Sequence, residues 1–146
     1  MEVILGAVFG FVYSSFLEWF IHKYLYHIVG KRKDSIFSYH LKEHHVIAKK
    51  NGFIDNKFSI VETIGLILLI LIHIPVFFIN IGAFISIMLY AIAFNFLHSK
   101  QHKDPEFAKK YFRWHWEHHM KNPNKNFGVV TCWVDYILKT RKKYKE

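Results

Sequence analysis

No lysine or arginine occurs before Lys23, and none occurs between Lys57 and Lys100. All 20 basic residues therefore lie in two stretches, 23–57 and 100–146, and the apolar runs fill the gaps between them. This segregation limits the fold more than any other feature of the chain. Residues 3–21 form a run broken only by small polar groups and Glu18. A helix of that length spans a hydrocarbon core about 30 Å thick. Residues 59–97 form a second run, 39 residues without a lysine or arginine. As one helix it would reach roughly 58 Å at 1.5 Å per residue, close to two crossings. Asn80-Ile81-Gly82 near its middle supplies a turn signal. The pattern predicts an all-α, multi-pass membrane protein with about three spans at 3–21, 59–79 and 82–97. We read residues 1–146 as a single domain.

Three spans place residues 22–58 and 98–146 on the same side. Those segments carry all the basic residues, so the positive-inside rule makes that side cytoplasmic. The formal charge of +9 in a chain 52% hydrophobic then serves orientation and contact with anionic lipid, and it calls for no nucleic acid. The N-terminal run has no positive n-region and no small-residue cleavage site, so it is expected to be retained. Cys132 is the single cysteine, which leaves no internal disulfide and no cysteine-rich metal site.

Ten of the eleven histidines fall into four tight clusters: His22-x4-His27, His40-x3-His44-His45, His98-x3-His102 and His115-x2-His118-His119. Neutral imidazole offers a lone pair at physiological pH. Ten rings are too many for one tetrahedral zinc, and imidazole-rich sites suit iron, copper and zinc. Two adjacent ions of higher coordination number fit the count better. The topology gathers the clusters at the cytoplasmic membrane boundary, so the expected architecture is a cytoplasmic helical cap carrying a histidine-rich site for two metals.

Helical spacing aims the rings. His98 and His102 are four apart and share a face, as do His40 and His44. His115, His118 and His119 fall within an arc of about 100°. His22 and His27 stand roughly 140° apart on an α-helix, so they either flank one site or serve different metals. Glu18, one turn before His22, is placed to orient an imidazole from behind. Asn95 shares the face of His98 and either bonds its ring or makes a helix contact. Glu43 and Glu117 each precede a His-His pair and are either ring partners or plain helix-face charges. Asp135 is a ring partner or a helix cap. His73, in the outer part of the second span beside Pro75, has no clustered partner and is expected to serve helix packing. No catalytic group beyond the metal ligands is expected.

These residues resemble the fatty acid hydroxylase/sterol desaturase superfamily of membrane di-iron oxygenases. Glu18-Trp19-x2-His22-Lys23-Tyr24-Leu25-Tyr26-His27 looks like its first histidine box, and the next three clusters follow in the family's order. After the last box, Asn126-Phe127-Gly128-Val129 and then Asp135-x4-Thr140 resemble the family's tail. The second box here is His-x3-His-His where many members have His-x2-His-His. Val134 separates Trp133 from Asp135 where Trp directly before Asp is usual, and Lys139 stands in place of the glycine before Thr140. The size and layout are similar to those of bacterial carotenoid ring hydroxylases, whereas the tail is similar to that of the fatty acid hydroxylases.

The resemblance implies two iron ions, with zinc able to occupy the purified protein, and an O2-dependent hydroxylase acting on a lipid C–H bond. A fatty acyl chain is the first expectation, with carotenoid (beta-ring) hydroxylation or sterol oxidation or desaturation as variants on the same ligands. The chain carries no nucleotide-binding glycine loop, haem attachment motif or cysteine set for an iron–sulfur cluster. Electrons are then expected from a donor protein of cytochrome b5 or ferredoxin type, docked on the basic face. The competing class is a non-enzymatic metal-handling membrane protein. A transporter would set polar ligands along its spans at midplane, whereas these spans, apart from Glu18 at the end of the first, carry only His73, Glu62, Asn95 and a few hydroxyls.

Overall fold

The two apolar runs become three long helices. The structure, a computed structural model, describes residues 1–57 and 60–145. Helix α1 spans Glu2–Phe20 and continues without a break into a π-helical segment, Ile21–Ile28, and a short 3-10 turn, Val29–Lys31. A second π-helical turn, His40–His44, leads into α2, His45–Lys50. Helices α3, Ile60–Ile79, and α4, Ile81–Lys103, form the hairpin. Short helices α5, Pro105–Tyr111, α6, Arg113–Met120, and α7, Trp133–Ile137, complete the fold. No strand occurs among the described residues.

Helix α1 with its extension, α3 and α4 are each long and apolar enough to cross a membrane. The expected second span began at residue 59, which lies outside the described residues. The first and third helices run past the ends of their apolar runs. Helix α4 continues through His98 and His102 to Lys103 and stops where Asp104 precedes Pro105, because a residue before proline disfavours the helical region. The histidines of the first and third clusters thus ride on rigid extensions of the spanning helices.

Asn80 alone makes the hairpin turn. Its extended backbone caps α4, and its Oδ1 accepts from the Ala83 amide at 3.0 Å. Helix α4 packs chiefly against α1, and small residues set the distance. A Cβ on Gly82 would lie 2.0 Å from the Val3 carbonyl oxygen, and one on Gly10 would lie 2.6 Å from that of Ala83. In lipid, where apolar burial gives helices little reason to associate, such close backbone approach supplies the attraction. A polar contact ties helix α3 to α1: the Tyr13 hydroxyl donates to His73 Nε2 at 2.9 Å, and His73 Nδ1 donates to the Leu69 carbonyl at 2.6 Å. His73 is the one residue of α3 classed as buried, and it serves helix packing as its isolation from the clusters suggested.

The C-terminal segment closes over the end of α1. Trp19, Phe127 and Val134 form a small core, flanked by Phe16 and Trp133. Asp135 is fully buried and accepts from the Phe127 and Gly128 amides at 2.9 and 2.8 Å, from Trp19 Nε1 at 3.2 Å and from the Thr140 hydroxyl at 2.6 Å. Helix α7 ends on Lys139 in the left-handed region, φ 55°, with the Thr140 and Arg141 amides both donating to the Asp135 carbonyl. That is the helix-end position where glycine is favoured, which gives a physical reason for the glycine of the resembled pattern.

Candidate metal centre

The ten clustered rings meet in one place. His22, His27, His40, His45 and His118 form one group, and His44, His98, His102 and His119 form a second, each with its ligating atoms within 4.8 Å of one another. His115 borders the second group, its Nε2 3.1 Å from that of His119. Nine of the ten rings are buried, and His98 is partly so. The groups adjoin where the rings of His45 and His119 stack, 4.0 Å between centroids.

Two π-helical turns assemble the first group. A π-helix bonds residue i to i+5, so side chains five apart come onto one face. His22 and His27 lie in such a turn and bring their Nε2 atoms to 3.2 Å. The α-helical reading of 140° between them is therefore corrected: they serve one group. His40 likewise joins His45, five residues on, at 3.2 Å rather than its i+4 neighbour His44. The adjacent pairs His44-His45 and His118-His119 fork, each sending one ring to either group. His98 and His102 stay together, as their α-helical spacing predicts.

The first group is a closed circuit of Nε2 atoms: His22 to His40 at 3.1 Å, His40 to His45 at 3.2 Å, His45 to His118 at 3.2 Å, His118 to His27 at 3.0 Å and His27 back to His22 at 3.2 Å. The Nδ1 protons of three of these rings are already placed. His22 donates to the Phe127 carbonyl, His118 to the Lys125 carbonyl at 2.6 Å and His40 to Glu62 Oε1 at 3.3 Å. Their Nε2 atoms are then bare lone pairs, and the His22–His40 contact sets two of them face to face. Burial and the neighbouring rings hold His40, His45, His115, His118 and His119 well below the ordinary histidine range, so protons do not relieve the crowding. A central cation does. Nitrogens bonded at right angles to one ion about 2.1 Å away lie about 3 Å apart, as these do.

The second group has the same polarity. His44 Nδ1 donates to Asp55 Oδ2 at 2.7 Å, His102 Nδ1 to the Phe53 carbonyl at 2.8 Å and His115 Nδ1 to Gln101 Oε1 at 2.6 Å. The Nε2 atoms of His44 and His102 are buried with no hydrogen-bond partner. Orphaned inward lone pairs behind satisfied outward protons are what a ligand set for a metal requires. Burial pushes the Asp55 carboxyl up, but the hydrogen bonds from His44 and the Lys57 amide outweigh it and hold the group below its usual range.

The carboxylates and amide singled out from sequence stand further back. Glu18 is buried and receives the Tyr90 hydroxyl at 2.7 Å and the Val129 amide. Glu117 receives Arg141 at 2.9 Å, Arg113 at 3.3 Å and the Tyr144 amide. Asp135 holds Phe127, whose carbonyl receives His22. None of the three bonds a histidine directly; they fasten the tail that does. Glu43 is half exposed and pairs with Lys57 at 3.7 Å, a plain surface charge. Asn95 is exposed and lines an apolar groove of about 620 Å³ between α3 and α4, together with Leu66, Ile92 and Phe96. The groups that do bond the rings, namely Asp55, Gln101, Glu62 and the carbonyls of Phe53, Lys125 and Phe127, carry no spacing signal that sequence reasoning could use.

The family model for fatty acid hydroxylase matches residues 7–140, which takes in all four clusters and the tail. The chain belongs to the fatty acid hydroxylase family. Membership makes it an oxidoreductase-type enzyme, hydroxylase or desaturase in kind and metal-dependent, and the two buried groups are where this fatty acid hydroxylase-family member can hold metal ions. No curated protein and no solved structure matches the chain.

Proposed function

We propose that the chain is a membrane-bound di-iron oxygenase that hydroxylates a lipid C–H bond, a fatty acyl chain by preference, using O2 and electrons from a separate donor protein. The observation that carries this reading is the pair of histidine groups. One is a closed circuit of five nitrogens and the other a set of four beside His115, sharing the stacked His45–His119 edge. Iron bound there would supply the activation of dioxygen.

The chain's own part is positioning and exclusion. The Nε2 lone pairs of the first group would hold one ion and those of the second group the other. The Nδ1 hydrogen bonds to Phe127, Lys125, Phe53, Asp55, Gln101 and Glu62 fix the tautomer and direction of six rings, His22, His118, His102, His44, His115 and His40. Burial keeps bulk water away, which protects a reactive oxidant from side reactions. Overall, one oxygen atom enters the lipid as hydroxyl and the other leaves as water, with a pair of electrons and a pair of protons supplied from outside. The basic residues at the histidine end suit a cytoplasmic face and an acidic donor of cytochrome b5 or ferredoxin type.

The test is isotopic. Protein loaded with iron and supplied with a reductant, lipid and heavy-isotope dioxygen should yield a lipid hydroxyl carrying the label. Label arriving from water instead, or no oxidised lipid from fatty acyl, carotenoid or sterol substrates, would remove the oxygenase reading.

A further inference from the structure

Between α2 and α3 runs a loop whose described residues, 51–57, bond rings of the second group and pack against its neighbour His115. Gly52 and Phe53 both hold left-handed backbone, φ 65° and 86°. For a bulky residue such as phenylalanine this is a true outlier, and it persists only where its surroundings over-determine it. Phe53 is fully buried. Its carbonyl receives His102 Nδ1 at 2.8 Å, and its ring stacks on His102 at 4.3 Å between centroids. Two residues on, Asp55 receives His44 Nδ1 at 2.7 Å, and its own amide donates to the His102 carbonyl at 3.3 Å. Asp55 Oδ1 is held in turn by the Lys57 amide at 2.9 Å.

Among the described residues the first group has no equivalent. Its rings lean on the carbonyls of Phe127 and Lys125, and on Glu62 at the longer distance of 3.3 Å. The Glu62 side chain keeps 27% of its exposure, against 2% for Asp55. A buried carboxylate at short range makes its imidazole a stronger electron donor than a neutral carbonyl does, and a water-exposed one at long range has a weaker effect.

The geometry points to Asp55 as a positioning residue for the second metal alone, with Phe53 as its companion, so that the two ions of this centre are chemically unequal. The inference rests on the proposal that each group holds an iron. The strained turn is the device: it aims the Phe53 carbonyl at His102 and delivers Asp55 behind His44, two of the four rings of the second group.

The experiment uses full-length protein in detergent, with ferrous iron titrated anaerobically and read by Mössbauer spectroscopy on wild type, Asp55→Asn and Asp55→Glu. Wild type should bind iron in two steps with two distinguishable signals. In Asp55→Asn one step should weaken by about ten- to a hundredfold and one signal should move, while the other step and signal stay in place. Asp55→Glu, which keeps the charge, should recover most of the affinity. Two irons bound with both signals unmoved in Asp55→Asn would overturn the inference. So would joint loss of both ions in both variants, which would make Asp55 a prop of the whole fold. Wild type that fails to bind two irons would instead strike the di-iron reading itself, a result separate from either.

Discussion

The Nε2 atoms of His22 and His27 lie 3.2 Å apart although five residues separate them. An α-helix would turn one ring away from the other. The π-helical register over Ile21–Ile28 brings them together, and the turn over His40–His44 does the same for His40 and His45. A π-turn is rare and usually marks a functional position. Here the register and the ligand spacing match, so neither can change alone.

The forked pairs give the sharpest mutational prediction. His118→Ala removes a ring from the first group and His119→Ala one from the second. Each variant should insert in the membrane normally and lose about one iron per chain, from different groups, with turnover down by about a hundredfold or more, since even removing a ligand's supporting partner costs ten- to a hundredfold. Metal analysis with product quantitation checks this. Equal loss of both irons from either variant would show that the groups do not act as two sites.

The fold was largely legible, because span length and charge segregation are strong, local signals. The turn at Asn80 was legible from Asn80-Ile81-Gly82, and the packing role of His73 from its isolation from the clusters. The partition of rings was not. It depends on backbone register at Ile21–Ile28 and His40–His44, which apolar periodicity does not encode. Asp55 and Gln101 were also hidden: nothing in the spacing of an aspartate eleven residues after His44 says that a loop folds it back. Glu18 and Glu117 stood out for their spacing to the histidines and Asp135 for the tail pattern, yet they hold the tail rather than the rings.

Trp19 joins that tail to α1. Trp19→Phe removes the donor to Thr140 and Asp135 while keeping most of the ring's packing. The buried acceptors left short of a partner should cost about 1–3 kcal/mol. Thermal unfolding in detergent should show the midpoint lowered by several degrees. No change would mean that the indole hydrogen bonds contribute nothing to the latch.

Lys139 offers the opposite effect. It holds φ 55° at the end of α7, a conformation that costs a non-glycine residue about 1 kcal/mol. Lys139→Gly should therefore stabilise the protein by up to about 1 kcal/mol, with activity unchanged. The same unfolding assay reads it, and destabilisation would show that the lysine side chain makes a compensating contact.

Acid should weaken the metal-free protein. His40, His45, His115, His118 and His119 titrate well below the ordinary 6.5 in the fold. Below about pH 6.5 the unfolded chain binds more protons than the native one, so stability is present above that pH and is lost progressively as pH falls. Unfolding midpoints of metal-free protein, measured between about pH 7.5 and about pH 5, should decline steadily. A flat profile would mean that the rings are not buried as neutral imidazoles.

The central claim is that ten histidines form two metal positions in one chain. Iron content after anaerobic loading with ferrous iron and removal of loose metal tests it most directly. The account predicts about two irons per chain, in two environments, and O2 uptake that requires a reductant. One iron or none, with no O2 uptake, would contradict it and leave the chain a family member in fold alone.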